Sequence, residues 1–169
     1  KFYTAHGRPV RDGGGITPDV TIEGHDYSRL TYSLVYSGII QECALDYVRE
    51  HADADEDFHL ADKDWDGFVA FAKTKEFDYR SSAKTYFDRM KKELEKDGLS
   101  KNMSAELDAL QKALEMDKET FLKLKKDEIV PFIEEEIAVR YHFQEAGIKI
   151  RLRYDEQLKK ALASPMIEL

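Results

Sequence analysis

Asp127-Glu128-Ile129-Val130-Pro131-Phe132-Ile133-Glu134-Glu135-Glu136-Ile137-Ala138-Val139-Arg140-Tyr141 is the stretch that decides the fold class. Ile129, Ile133, Ile137 and Tyr141 recur every fourth residue, which puts them on one face of an α-helix. Three consecutive glutamates fill the turn between two of those isoleucines, as an amphipathic helix requires. Asp127 is a candidate helix start, and Pro131 is tolerated only near the beginning of such a helix.

Gly147 is expected to end the helix. Ile148, Ile150, Leu152 and Tyr154 then alternate with Lys149, Arg151 and Arg153, the period of a half-buried strand. A short helix follows, capped by Asp155 and running to about Ala163, before a tail at Pro165. Upstream, Asp117 is a second candidate start, and Met103, Leu107, Leu110 and Leu114 repeat the helical spacing. Ser81 or Ser82 caps a helix with Tyr86, Phe87, Met90 and Leu94 facing inward and Gly98 just past its end. Asp62 caps another, with Trp65, Phe68, Val69 and Ala72 on one face. Tyr32, Tyr36, Ile39, Cys43 and Tyr47 share a face of the first helix, and core packing is the expectation for them. A partner-binding face is the alternative, reinforced if a surface normally packed on an upstream domain is bare.

Residues 1–26 have another character. They hold five of the nine glycines and two of the four prolines, with short extended runs at Lys1–Thr4 and Asp19–Glu23 on either side of a glycine-rich turn. Two such runs cannot form a stable sheet alone, so they are expected to be the last strands of a larger one. The whole is expected to be mainly α: a multi-helix domain over 27–169, preceded by a few short β-strands.

The opening motif is Phe2-Tyr3-Thr4, then Gly7-Arg8-Pro9-Val10, then Gly15-Ile16-Thr17-Pro18-Asp19-Val20. Its order and spacing resemble the segment that follows the catalytic lysine region in C-terminal processing (tail-specific) serine peptidases. Ala5 and His6 depart from the family pattern, which commonly has a proline near that point, and Gly13 and Gly14 lengthen the turn. The resemblance covers the first 20 to 25 residues. It implies a parent endopeptidase in which a serine attacks the scissile carbonyl, a lysine is the general base and backbone donors hold the oxyanion. All of those parts would lie upstream, so the 169 residues are expected to be an inactive C-terminal fragment ending the catalytic domain (1–26) and adding a helical domain (27–169). Phe2, Tyr3, Thr4, Gly7, Arg8, Gly15, Ile16, Pro18 and Asp19 carry the motif in structural roles. The resemblance further implies a periplasmic or envelope location and protein or peptide substrates, bound by upstream domains. The helical domain would serve substrate access, self-association or adaptor contact.

Composition narrows the other classes. The net charge is −8, and ten acidic against two basic residues between Glu42 and Asp66 account for all of it. Such a patch repels phosphate backbones and no basic stripe offsets it, so nucleic-acid binding is not expected. The most apolar stretch, Leu30 to Leu45, is too short and too interrupted for a membrane span. Cys43 is the only cysteine, which rules out an internal disulfide.

Four local patterns have the outline of chemical sites. Ser81-Ser82-Ala83-Lys84 has the Ser-x-x-Lys spacing of penicillin-recognising enzymes without their partner motifs, and reads better as a cap with an exposed lysine. Asp62-Lys63-Asp64-Trp65-Asp66-Gly67 begins like a calcium loop, but Lys73 occupies the position that must supply a bidentate carboxylate. His51, Asp53, Asp55, Glu56, Asp57 and His59 form a denser cluster whose spacing fits no metal pattern, and a solvated acidic loop is the expectation. Asp12-Gly13-Gly14-Gly15 lacks the Lys-Ser/Thr of a phosphate loop and reads as a turn. No metal or cofactor is expected. Two rivals stay open: a non-enzymatic helical partner-binding module, and a metal-dependent activity around His51 to Asp66.

Overall fold

Helices dominate the computed structural model, which describes residues 2–7, 9–10, 21–24 and 26–163. The chain is mainly α, as the spacing of its apolar residues requires. Two two-residue strands, β1 (Phe2–Tyr3) and β2 (Pro9–Val10), pair antiparallel with Phe2 opposite Val10. The helices are α1 (Arg29–Tyr36), α2 (Ile39–Glu50), α3 (Asp62–Lys73), α4 (Ser82–Lys96), α5 (Ser104–Leu114), α6 (Lys118–Leu124), α7 (Lys126–Tyr154) and α8 (Glu156–Ala163). A 3-10 turn at Ser100–Met103 leads into α5.

The first arm of α7, residues 126–141, is the axis of the fold. Ile129, Ile133 and Ile137 are all essentially inaccessible, and α1, α2 and α6 pack around them. Leu30, Leu34, Ile39, Ile40 and Ala44 from α1 and α2, Trp65, Phe68, Val69 and Ala72 from α3, and Phe121 and Leu122 from α6 complete the core. Burying each of the large side chains contributes about 1.5–3 kcal/mol. The α4–α5 hairpin stands apart, its two helices packing chiefly on each other.

Local signals set the helix ends. Ser28 accepts the Thr31 amide and caps α1, Ser81 accepts the Lys84 amide and caps α4, and Asp117 accepts the Thr120 amide and caps α6. Gly98, with φ +72°, lets the Leu99 and Gly98 amides reach the carbonyls of Leu94 and Glu95 and close α4. Ser28 is tied down further. Glu128 accepts from its amide at 2.8 Å and from the Thr31 hydroxyl at 3.0 Å. Burial pushes the Glu128 carboxyl up, but the Lys125 ammonium and the donors of Ser28 and Thr31 outweigh it and bring it down to about 2.

Four expectations need correction. The segment 148–154 is helix, the second arm of α7, and Gly147 lies inside that arm. The break falls instead at His142 (φ −127°, ψ 17°) and Phe143 (φ 61°, ψ −168°). The chain reverses there, bringing Gly147 against Val139 and Arg153 against Glu134. The first helix is two: Gly38, at φ +77°, ends α1 and starts α2. That break shifts the helical phase, so Tyr32 and Tyr36 are exposed, Ile39 is buried, and Cys43 and Tyr47 are only partly covered. In α4 only Phe87 is buried, while Tyr86 and Met90 lie largely open. Ala61, rather than Asp62, is the N-cap of α3, and Asp62 sits in the first turn, paired with Lys126 at 2.6 Å. Among the described residues, no helix is long and apolar enough to cross a membrane.

Candidate functional site

Packing the two arms of α7 side by side requires small residues at the crossing. Ala138, Ala146 and Gly147 supply them, with Ile150 completing a second, smaller apolar cluster. The same reversal brings α7's cations onto the acidic loop between α2 and α3. Lys149 and Arg153, one helical turn apart, both face that loop. Lys149 Nζ contacts Glu56 at 2.8 Å, and Arg153 pairs with Asp57 while donating to the Phe58 carbonyl at 2.8 Å. At the elbow, the Tyr141 hydroxyl donates to the His51 carbonyl at 2.6 Å, and the His142 ring contacts the Ala54 carbonyl at 2.5 Å.

Glu134 is the centre of this clasp, with a side chain only 2% exposed. It accepts from the Leu60 amide at 2.8 Å, the Tyr154 hydroxyl at 2.8 Å and the Arg153 guanidinium at 3.1 Å. Those three donors hold a carboxylate that would otherwise be costly to bury. Burial and the neighbouring Glu134 carboxylate push the Tyr154 phenol up to about 12, so it remains a donor at any ordinary pH.

Beside the clasp runs a groove of about 740 Å³, lined in part by Ile22, Tyr27, Phe132, Glu135, Arg151 and Tyr154. Its position is informative: one wall is the chain arriving from the N-terminal segment and the other is α7. Glu135 and Arg151 form an ion pair at 3.1 Å across the arms. Burial pushes the Glu135 carboxyl up, with Arg151 opposing and Glu136 reinforcing.

The residues singled out as chemistry are not assembled into a reacting site. Ser81 is engaged as a cap, and the Lys84 ammonium pairs with Asp88 at 2.5 Å beside the Phe87 ring. Cys43 is pushed up to about 11 by burial and by Asp46 and Asp64, which makes it a poor nucleophile. The calcium-like stretch from Asp62 is helical, so its carboxylates diverge around an axis. His51 stacks on Tyr47, whereas His59 approaches Arg153 and Glu134. Among the described residues, no group of three or more His, Cys, Asp or Glu side chains is placed to hold a metal ion.

Of the motif residues, Phe2 and Tyr3 form β1 and are more than half exposed, and the Gly7 amide closes the turn on the Thr4 carbonyl at 2.9 Å with φ +77°. Arg8, Gly15, Ile16, Pro18 and Asp19 lie outside the described residues, as does the Asp12–Gly15 turn. Glu134, Tyr141, His142, Arg153 and Tyr154 were not singled out from sequence as a clasp. The available signal was the i, i+4 pair Lys149 and Arg153, downstream of a loop with a large uncompensated negative charge.

Fold and site together define a helical domain braced by internal ion pairs. A family model described as "Probable PDZ-protease, C-terminal helical domain" matches residues 30–164, about four-fifths of the chain. The chain belongs to that family. No curated protein and no solved structure matches it.

Proposed function

We propose that this chain is the C-terminal portion of a serine endopeptidase that processes or degrades proteins from their C-terminal tails. Residues 1–26 end the catalytic domain and 27–169 form its helical domain. The observation that carries the reading is a conjunction. The ordered run Phe2-Tyr3-Thr4, Gly7-Arg8 and Gly15-Ile16-Thr17-Pro18-Asp19 lies just upstream of residues 30–164, which match a protease family's helical domain. An upstream serine is the nucleophile, an upstream lysine its base, and backbone donors hold the oxyanion. The described residues contribute none of these groups. They brace the domain, and on this reading the groove lined by 22–24 and α7 is the seam between its two parts. The parent works in the periplasm or cell envelope on protein or peptide substrates.

The test is to incubate an unfolded protein with an apolar C-terminal tail with this chain and with a longer natural form containing it. Cleavage by the longer form alone supports the proposal. If neither cleaves, the non-enzymatic helical binding module replaces it.

A further inference from the structure

Phe143 is the only non-glycine residue with a positive φ among those described. Its pair of angles, φ 61° and ψ −168°, falls in a region that is essentially reserved for glycine. The side chain gains nothing obvious in return, being 81% exposed. Nor does the local sequence ask for a bend: residues 138–146 read Ala-Val-Arg-Tyr-His-Phe-Gln-Glu-Ala, without glycine, proline, asparagine or aspartate. The elbow is imposed by the contacts of the second arm.

A straight α7 is also a coherent structure. As one 29-residue helix it would be about 43 Å long. Ile137, Tyr141, Ile148 and Leu152 would then fall within about 60° of one another around the axis, two apolar pairs on one side with Gln144 and Glu145 between them. In the bent form Ile148 and Leu152 are each 47% exposed and no longer align with Ile137 and Tyr141. The contacts that hold the arm down all join residues 144–154 to other parts of the chain: Ala146 and Ile150 on Ala138, Lys149 on Glu56, Arg153 and Tyr154 on Glu134. Helix α8, which would travel with the arm, buries no residue.

We propose that the second arm of α7 exchanges between two copies of this chain, with residues 142–143 straightening into helix. Each copy's residues 144–154 then pack on the other's first arm and acidic loop, remaking the contacts of Lys149, Arg153 and Tyr154 across the dimer. A short hinge under backbone strain, joining an arm whose contacts are fully reproducible in a second copy, is the condition that favours such an exchange. Straightening releases Phe143 from its glycine-type backbone angles in both copies.

The test uses the full chain. Unlabelled and nitrogen-15-labelled protein are mixed, refolded together from denaturant, sized by sedimentation at rising concentration, and treated with a carbodiimide that joins contacting lysines and carboxylates. Exchange predicts a dimer in which Glu56 and Lys149 are linked between chains of different isotopic mass. The Glu145–Lys149 pair, at 3.3 Å within one arm, links within a chain in every case and serves as the internal control. Phe143→Gly relieves the elbow and disfavours the straight helix, so it raises the dimer dissociation constant by about tenfold or more. Phe143→Ala removes the same ring but keeps the preference for helix, and leaves the dimer intact. A chain that stays monomeric at its highest soluble concentration overturns the proposal. So does a dimer whose Glu56–Lys149 links are all within one chain, or equal weakening by both substitutions.

Discussion

Replacing Arg153 with Met removes the guanidinium but keeps an unbranched apolar stem of similar reach. The loss is concentrated on Glu134, whose side chain is 2% exposed and keeps only the Leu60 amide and the Tyr154 hydroxyl as donors. Removing one partner of a buried pair costs about 3–5 kcal/mol, because the remaining charge stays desolvated. The Phe58 carbonyl also loses its donor, while the exposed Asp57 end of the interaction contributes little. The expected loss is therefore about 3 kcal/mol or somewhat more, which lowers Tm by about 6–12 °C for a chain of this size. Glu134→Gln places an amide NH₂ against at least one of the donors that now face an oxygen, and costs about 2–4 kcal/mol. The two losses must not add. With both changed no charge is left buried, so the double variant recovers about 1.5–3 kcal/mol of the summed loss. Urea unfolding followed by Trp65, the single tryptophan and 3% exposed, reads this directly. A cost below about 1 kcal/mol for Arg153→Met, or strict additivity, would refute the clasp as the element that holds the second arm of α7 in place.

Two further substitutions probe the same architecture. Gly147→Ala gains about 1 kcal/mol in helix propensity, yet its Cβ would meet Val139 Cγ2 at 2.5 Å, and a valine in a helix has little rotamer freedom to yield. The collision dominates, giving a net destabilisation of about 1–2 kcal/mol; in a Val139→Ala background the same change becomes neutral or stabilising, which thermal unfolding distinguishes. Glu128 has a folded value of about 2 against 4.5 for a free glutamate. Its contribution is thus complete above pH 4.5 and is lost as the pH falls toward 2. Urea midpoints should separate wild type from Glu128→Gln at neutral pH and converge near pH 2.

The axis of the fold was legible because its signal was repeated. Ile129, Ile133 and Ile137 step by one helical turn, and Pro131 and Glu135, which would share their face in a strand, fall elsewhere around a helix. Ser81, Asp117 and Gly98 were legible as stops and starts because each works through its own backbone or side chain. The elbow was not, because no residue near 142 and 143 prefers to bend and the cause lies in contacts with Glu134 and the acidic loop. Residues 148–154 misled for a related reason. Ile148 and Leu152 share the exposed side of a helix while Ile150 faces inward, so a two-residue alternation arises from two helical faces. Lys149 and Arg153 on one side and Arg151 on another complete the imitation of a strand. The Tyr32 to Tyr47 stripe failed at Gly38, where one left-handed residue resets the phase of everything before it. The clasp was invisible in outline, since it joins residues far apart in sequence, although the charge imbalance of 42–66 asked for cations to answer it.

The proposal that this chain belongs to a serine endopeptidase whose chemistry lies upstream is tested most directly in the longer natural form. Its upstream candidate serine is changed to alanine, and release of a C-terminal fragment from an unfolded substrate is followed by mass spectrometry. The unmodified longer form is expected to cleave, and neither the serine variant nor residues 1–169 alone is. Cleavage that survives the serine change, or that these 169 residues perform unaided, would contradict it.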